Sequence, residues 1–161
     1  MKRISENGYS VVVVPIILGV LLLLMAFIFE YGRYVTIKHQ LQSAVDSAVL
    51  AGVSMCRVEY KNIEDILEDG TIKLEDNTKV VLVEDKAIEE AKNYFKKNRE
   101  SLKLDPQNVK ILNDNINIKV EDNTLQMEIK ADIKGIFATA LFGKDNELAI
   151  SVRAKAEPID V

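Results

Sequence analysis

The stretch VVVVPIILGVLLLLMAFIF, Val11–Phe29, runs for 19 residues without a charged side chain. As an α-helix it spans about 28 Å, close to the roughly 30 Å hydrocarbon core of a bilayer. Most of its residues are Val, Ile, Leu or Phe, whose transfer into lipid is favourable. The sequence therefore predicts a transmembrane helix over residues 9–31.

A cleaved signal peptide is the alternative interpretation of this stretch. Such a peptide has an apolar region of roughly 7–15 residues, followed by small residues at positions −3 and −1 of the cleavage site. The run here is longer, and the nearest candidate site, Leu24-Met25-Ala26, has a large residue at −3. We therefore expect an uncleaved, single-pass anchor in the cell membrane.

The charges flanking the run say little about its orientation, since Lys2 and Arg3 precede it and Arg33 and Lys38 follow it. The long segment after the run translocates largely regardless of charge. We expect residues 1–8 in the cytoplasm and the C-terminal domain outside.

A helical pattern continues beyond the apolar run, with no proline to interrupt it. Four apolar residues, at spacings i, i+3, i+7 and i+10, share one face of this helix: Leu41, Ala44, Ala48 and Ala51. The pattern predicts an amphipathic stalk helix over residues 32–56. Its face of small residues is the candidate interaction face, which packs on a sheet or on another helix and is a candidate for self-association.

Residues 57–161 predict an extracytoplasmic α+β domain. The stretch Lys61–Gly70 is interpreted as a short helix, and the next stretch as a hairpin that turns at Glu75–Thr78. Residues 86–102 predict a second helix, with Asp85 as its N-cap.

The C-terminal third alternates apolar and polar residues, which is typical of antiparallel strands covered on one face. The alternation begins at Ile116, Leu125 and Leu148, and the first two strands are joined by a turn at Glu121–Thr124. The apolar segment Gly135–Gly143 is either a short buried helix or a lip that touches the membrane or a partner.

Composition excludes several kinds of chemistry. The formal net charge of −4 and the pI near 5.2 disfavour nucleic acid, whose phosphates attract basic surfaces. The single cysteine, Cys56, excludes an internal disulfide, and this thiol either pairs between chains or packs as a small apolar residue. We expect neither a cofactor nor a metal.

Two local patterns are interpreted as structural rather than chemical. His39, Ser43 and Asp46 have the composition of a catalytic triad, but the serine lies between the other two along one helix, whereas a triad requires histidine there. IKLEDNT at Ile72–Thr78 and IKVEDNT at Ile118–Thr124 differ in one residue. We interpret them as a repeated hairpin turn rather than a duplication, and neither has calcium-loop spacing. We therefore expect a protein that is not an enzyme.

Residues 8–52 resemble the N-terminal region of the TadE/TadG-like proteins of the tight-adherence (Flp) pilus assembly system. The matching residues are Gly8 before the apolar run, Glu30 and Arg33 after it, and the stretch LQSAVDSAVLAG, Leu41–Gly52. The tail resembles the family more loosely, through Phe137, Leu141 and Gly143, then the alternating Ala154 and Ala156.

The resemblance implies a membrane-anchored accessory or pseudopilin-like component of pilus assembly, with other pilus-assembly proteins as partners. Some relatives are cleaved after a glycine and carry a glutamate at the fifth mature position. Gly8 is the candidate processing site here, but the fifth residue after it is Val13 rather than a glutamate.

The expected fold is α+β and pilin-like: one transmembrane helix extends into an amphipathic helix packed on a small antiparallel sheet, with one or two additional helices. The expected function is structural, in assembly. The alternative is an anchored extracytoplasmic module that binds a surface ligand in adhesion.

Overall fold

A computed structural model of the protein describes residues 7–66, 72–102, 109–112, 115–143 and 147–159. Its elements are, in chain order, α1 (Asn7–Val53), β1 (Cys56–Ile66), β2 (Ile72–Leu82), α2 (Glu84–Ser101), β3 (Val109–Lys110), β4 (Ile116–Glu121), β5 (Thr124–Lys134), α3 (Ile136–Phe142) and β6 (Glu147–Ala156). This order confirms the predicted α+β fold, with one long apolar helix, further helices and antiparallel strands.

Helix α1 is continuous over 47 residues, about 70 Å, and contains Pro15. It is long and apolar enough to cross a membrane: its most apolar window has a mean hydropathy of 3.1, and none of that window is buried by the protein. The helix ends at Val53, three residues before the predicted end of the stalk, and Cys56 already belongs to β1.

A four-stranded antiparallel sheet forms the base of the domain, and β5 is its central strand. Strand β6 pairs with one edge of β5, from Leu125↔Ala156 to Lys134↔Glu147. Strands β4 and β3 share the other edge, where Ile116 lies opposite Ile129 and Val109 opposite Ile133. The predicted turn between β4 and β5 is confirmed at Asp122 and Asn123, which both have positive φ, as in the tight turns of hairpins.

The hydrophobic core lies between the second half of α1, helix α2 and one face of this sheet. Every second residue of β5 points inward and is buried: Leu125, Met127, Ile129, Ala131 and Ile133. Facing them, Leu41, Val45 and Val49 of α1 are at most 1% exposed. Burial of each such side chain contributes about 1.5–3 kcal/mol, so this half of α1 is part of the domain.

The short helix predicted over Lys61–Gly70 is wrong for the described part of this segment. Residues 61–66 belong to β1, and Gly70 lies outside the described residues. The turn predicted at Glu75–Thr78 is also wrong, because these residues continue β2. The two strands pair over 11 positions, from Cys56↔Leu82 to Ile66↔Ile72, and this ladder outweighs the weak helical signal of one short apolar face.

Helix α2 confirms the predicted second helix, with a different start. Its N-cap is Val83, which makes no side-chain capping bond, and Asp85 lies within the first turn rather than at the cap. Glu84 and Asp85 together place negative charge at the positive end of the helix dipole. The face of α2 that meets α1 buries Ala87, Ala91 and Phe95.

Candidate functional site

The predicted interaction face on α1 is where the helix meets its own domain. Leu41 and Ala48 are fully buried and Ala44 is 4% exposed, while Ala51 is half-buried at the margin of the core. The small side chains at positions 44 and 48 allow α2 and the sheet to approach the helix closely. The self-association predicted for this face stays a prediction.

Gly52 lies at the tightest contact of α1 among the described glycines. A Cβ atom at this position would lie 2.4 Å from the Leu125 side chain, 2.7 Å from the Ala87 carbonyl oxygen and 3.1 Å from the Ala91 Cβ. The approach of α2 and β5 at this point therefore requires the absence of a side chain. The glycine that closes the Leu41–Gly52 stretch thus has a packing role that the spacing of apolar residues did not reveal.

Two side chains of α1 donate hydrogen bonds to backbone carbonyls of the sheet strands. Arg33 Nη1 donates to the Lys134 carbonyl oxygen at 3.2 Å, and Gln42 Nε2 donates to the Arg153 carbonyl oxygen at 2.9 Å. Arg33 lies four residues after the apolar run, so the first contact is at the level where α1 leaves that run. Both contacts join residues more than 100 positions apart, which no local pattern predicts.

The three residues with the composition of a triad are exposed on α1. Asp46 accepts a hydrogen bond from Gln42 at 2.8 Å, and the carbonyl of Ser43 accepts one from the Ser47 hydroxyl at 2.8 Å. These bonds lie within one helix, so the contacts of Ser43 and Asp46 are those of a polar helix surface.

The two near-identical seven-residue segments adopt different structures. Asp76 and Asn77 lie within β2, opposite Asn62 and Lys61, whereas Asp122 and Asn123 form the β4–β5 turn. In the described part of the chain, no three His, Cys, Asp or Glu side chains form a group with metal-binding geometry.

Asn123 fastens the β1–β2 hairpin to the rest of the domain. Its Nδ2 donates to the Val80 carbonyl at 2.8 Å, and its Oδ1 accepts from the Leu82 amide at 2.7 Å. The positive φ of 63° at Asn123 aims the side chain at β2, and asparagine tolerates this backbone better than most residues. The sequence analysis named Asn123 only as part of a turn, since its partners lie about 40 residues away.

A polar cluster covers the face of the sheet that points away from α1. Glu128 Oε2 accepts from Arg153 Nη2 at 2.7 Å, and Glu128 Oε1 accepts from the Ser151 hydroxyl at 3.1 Å. The hydrogen bond from Arg153, followed by that from Ser151, holds the pKa of Glu128 below its ordinary value of 4.5. The cluster aligns β5 with β6.

Two further candidate residues from the sequence analysis, Cys56 and Gly8, lie outside the clusters described above. Cys56 is exposed at the start of β1, with a free thiol. Gly8 lies in the first turn of α1. Gly8 stays a candidate processing site, and the two alternatives for the Cys56 thiol stay predictions.

These features define an α+β protein whose first helix is exposed and apolar in its first half and packed into a domain in its second half. The family model "Putative Flp pilus-assembly TadE/G-like" matches residues 8–55, which confirms the resemblance found in the sequence. The N-terminal third of the chain is therefore similar to the TadE/G-like family.

The match covers almost the whole of α1 and ends where β1 begins. The looser resemblance in the tail, from Phe137 to Ala156, lies outside it. Neither a curated protein nor a solved structure matches the chain.

Proposed function

We propose that this protein is a membrane-anchored, non-enzymatic component of Tad/Flp-type pilus assembly, either accessory or pseudopilin-like. The first half of α1 lies in the bilayer with the N-terminus in the cytoplasm. The second half of α1 carries the α+β domain on the outer side, where it meets other pilus-assembly proteins.

One observation carries this proposal: the TadE/G-like match coincides with a helix that has two different surroundings. The residues from Val12 to Phe29 are almost all exposed, including Leu22 at 59% and Phe29 at 72%. A soluble protein rarely exposes a continuous apolar surface of this size, whereas a bilayer covers it. From Ile37 onward the buried face of the same helix is covered by the domain itself.

The single exposed thiol of Cys56 allows the orientation to be tested directly. In intact cells, a membrane-impermeant maleimide should label Cys56 without permeabilisation, and the labelled protein should stay in the membrane pellet after alkaline extraction. As a control, Ser5→Cys in a Cys56→Ser background should be labelled only after permeabilisation.

Two outcomes would contradict this part of the proposal. Labelling of Cys56 only after permeabilisation would show that the domain lies on the cytoplasmic side. Recovery of the protein in the alkaline supernatant would show that α1 does not anchor it in the membrane.

A substitution in the packed half of α1 tests the proposed role in pilus assembly. Ala48→Phe should lower the melting temperature of the protein and abolish piliation, because Ala48 is fully buried and overpacking costs about 1–3 kcal/mol. Leu50→Phe, on the exposed side of the same helix, is the matched control and should leave both unchanged.

Deletion of the gene separates assembly from the alternative role in binding. Loss of pili supports assembly, whereas normal pili with lost surface attachment would replace it with an anchored binding module.

A further inference from the structure

Helix α3 presents an apolar surface that the domain does not cover. Ile136 is 50% exposed and Phe137 is 38% exposed at its start. The helix follows β5 directly, and it ends at Gly143 with a left-handed backbone, φ 64°. Leu148, 52% exposed on the neighbouring strand β6, adds to the same end of the sheet, since it pairs with Ile133.

The position of α3 along α1 is set by the contact between Arg33 and Lys134. Lys134 is the last residue of β5, and α3 begins two residues later. Arg33 is four residues beyond Phe29, so the contact lies about 6 Å along the helix axis past the apolar run. Helix α3 also touches α1 directly. The exposed side chains of α3 are thus beside the point where the apolar half of α1 ends.

Large apolar side chains are also exposed at the end of the apolar run of α1, the helix that α3 touches. Ile28, Phe29 and Tyr31 are each about 70% exposed there. A bilayer that covers the first half of α1 necessarily brings its headgroup region to this height. Short segments with exposed Ile and Phe bind at such a boundary by placing these side chains among the upper acyl carbons.

We propose that α3 lies in the outer interfacial layer of the bilayer, with Ile136 and Phe137 inserted between lipids. This inference rests on the membrane anchor proposed above and adds a second point of attachment. With two attachments the domain keeps a defined tilt and rotation on the membrane, which a single helix does not impose.

The absence of tryptophan from the sequence makes this contact measurable. Phe137→Trp, in the full chain reconstituted into phosphatidylcholine vesicles with brominated acyl chains, introduces a single fluorescent reporter. Two further single-tryptophan variants calibrate it: Phe27→Trp within the apolar run and Leu50→Trp, about 32 Å beyond Phe29 along α1. We expect roughly twofold or greater quenching at positions 27 and 137, and none at position 50.

The pattern of quenching separates this inference from the anchor on which it rests. Quenching at position 27 with none at position 137 would overturn the contact of α3 and leave the anchor standing. No quenching at position 27 would overturn the anchor, and the contact of α3 with it. If Phe137→Trp lowers the melting temperature, Ile136→Trp replaces it, because Ile136 is more exposed.

Discussion

At the scale of single residues, Gly52 shows how a helix and a strand come to lie against each other at short range. The Ala87 carbonyl belongs to the backbone of α2 and has no rotamer with which to avoid a new Cβ atom, whereas the end of the Leu125 side chain can move. The backbone contact therefore decides what position 52 tolerates.

Gly52→Ala should destabilise the protein even though alanine favours helix formation by about 1 kcal/mol. Displacing α2 to make room costs roughly 1–3 kcal/mol, so the melting temperature should fall. Gly32→Ala is the matched control, since no atom lies within 4 Å of a Cβ there and only the helical gain remains. An unchanged or raised melting temperature for Gly52→Ala would contradict the packing described here.

Glu128 is a residue whose charge contributes to stability through defined partners. Its pKa in the folded protein is lowered by Arg153 and then by Ser151. A lowered pKa means that folding favours the ionised form, so the contribution is complete above the unfolded pKa and disappears as the pH falls through the folded one.

Glu128→Gln should therefore lower the melting temperature at pH 7, and the difference from the wild type should shrink as the pH is lowered below about 4.5. Glu121→Gln, an exposed position on β4, is the control for removing one negative charge from the same sheet. Melting curves between pH 3 and pH 7 measure both. A difference that stays constant over this range would exclude the proposed ion-pair contribution.

At the scale of secondary structure elements, the β1–β2 hairpin stands apart from the four-stranded sheet. Two-stranded ribbons are marginally stable by themselves, so the position of this one depends on what holds its base. The base of the hairpin is held by the two hydrogen bonds that the Asn123 side chain makes, one donated to the Val80 carbonyl and one accepted from the Leu82 amide, and by the bond from the Val83 amide to the Met55 carbonyl at 3.0 Å.

Asn123→Gly should loosen the hairpin without disturbing the turn, because glycine keeps the positive φ and loses both side-chain bonds. Each lost bond is worth about 0.5–1.5 kcal/mol, so amide exchange at Val80 and Leu82 should accelerate by roughly tenfold or more. Asp122→Gly changes the same turn and leaves both bonds in place, so exchange there should stay near the wild-type rate. Equal acceleration in the two variants would assign the effect to the turn.

The helices and strands also show which sequence patterns were long enough to predict secondary structure. The long apolar run, the spacing in α2 and the alternation in β4, β5 and β6 each extend over many residues, and each correctly predicted a helix or a strand. Lys61–Gly70 carries three apolar residues within five positions, a signal too short to separate a helix from a strand. Its strand depends on pairing with β2, which lies beyond the range of any local pattern.

At the scale of the whole molecule, the two halves of α1 have separate roles. The core begins at Ile37, and the hydrogen bond from Arg33 joins α1 to the end of β5. We therefore expect the apolar run before them to be dispensable for folding. Residues 30–161 carry a net charge of −5, which favours solubility.

A chain of residues 30–161 should stay in solution without detergent and melt within a few degrees of the full chain. A chain of residues 45–161 is the control: it lacks Ile37, Leu41 and Ala44 from the core and should not fold. Circular dichroism and gel filtration measure both outcomes. Aggregation of the longer fragment would show that the apolar half of α1 takes part in the fold.

The amino-acid pattern alone was enough for the long helix, its apolar and amphipathic halves and the C-terminal strands, because each follows from hydrophobic periodicity along a continuous stretch. It was also enough for the TadE/G-like resemblance over the first third of the chain. Folding in three dimensions decided how the near-identical segments at Ile72–Thr78 and Ile118–Thr124 differ: the first lies wholly within β2, whereas the second turns at Asp122 and Asn123. The reason is that strand pairing with β1 and the side-chain bonds of Asn123 join residues distant in sequence, and their energies exceed the local preferences that the two segments share.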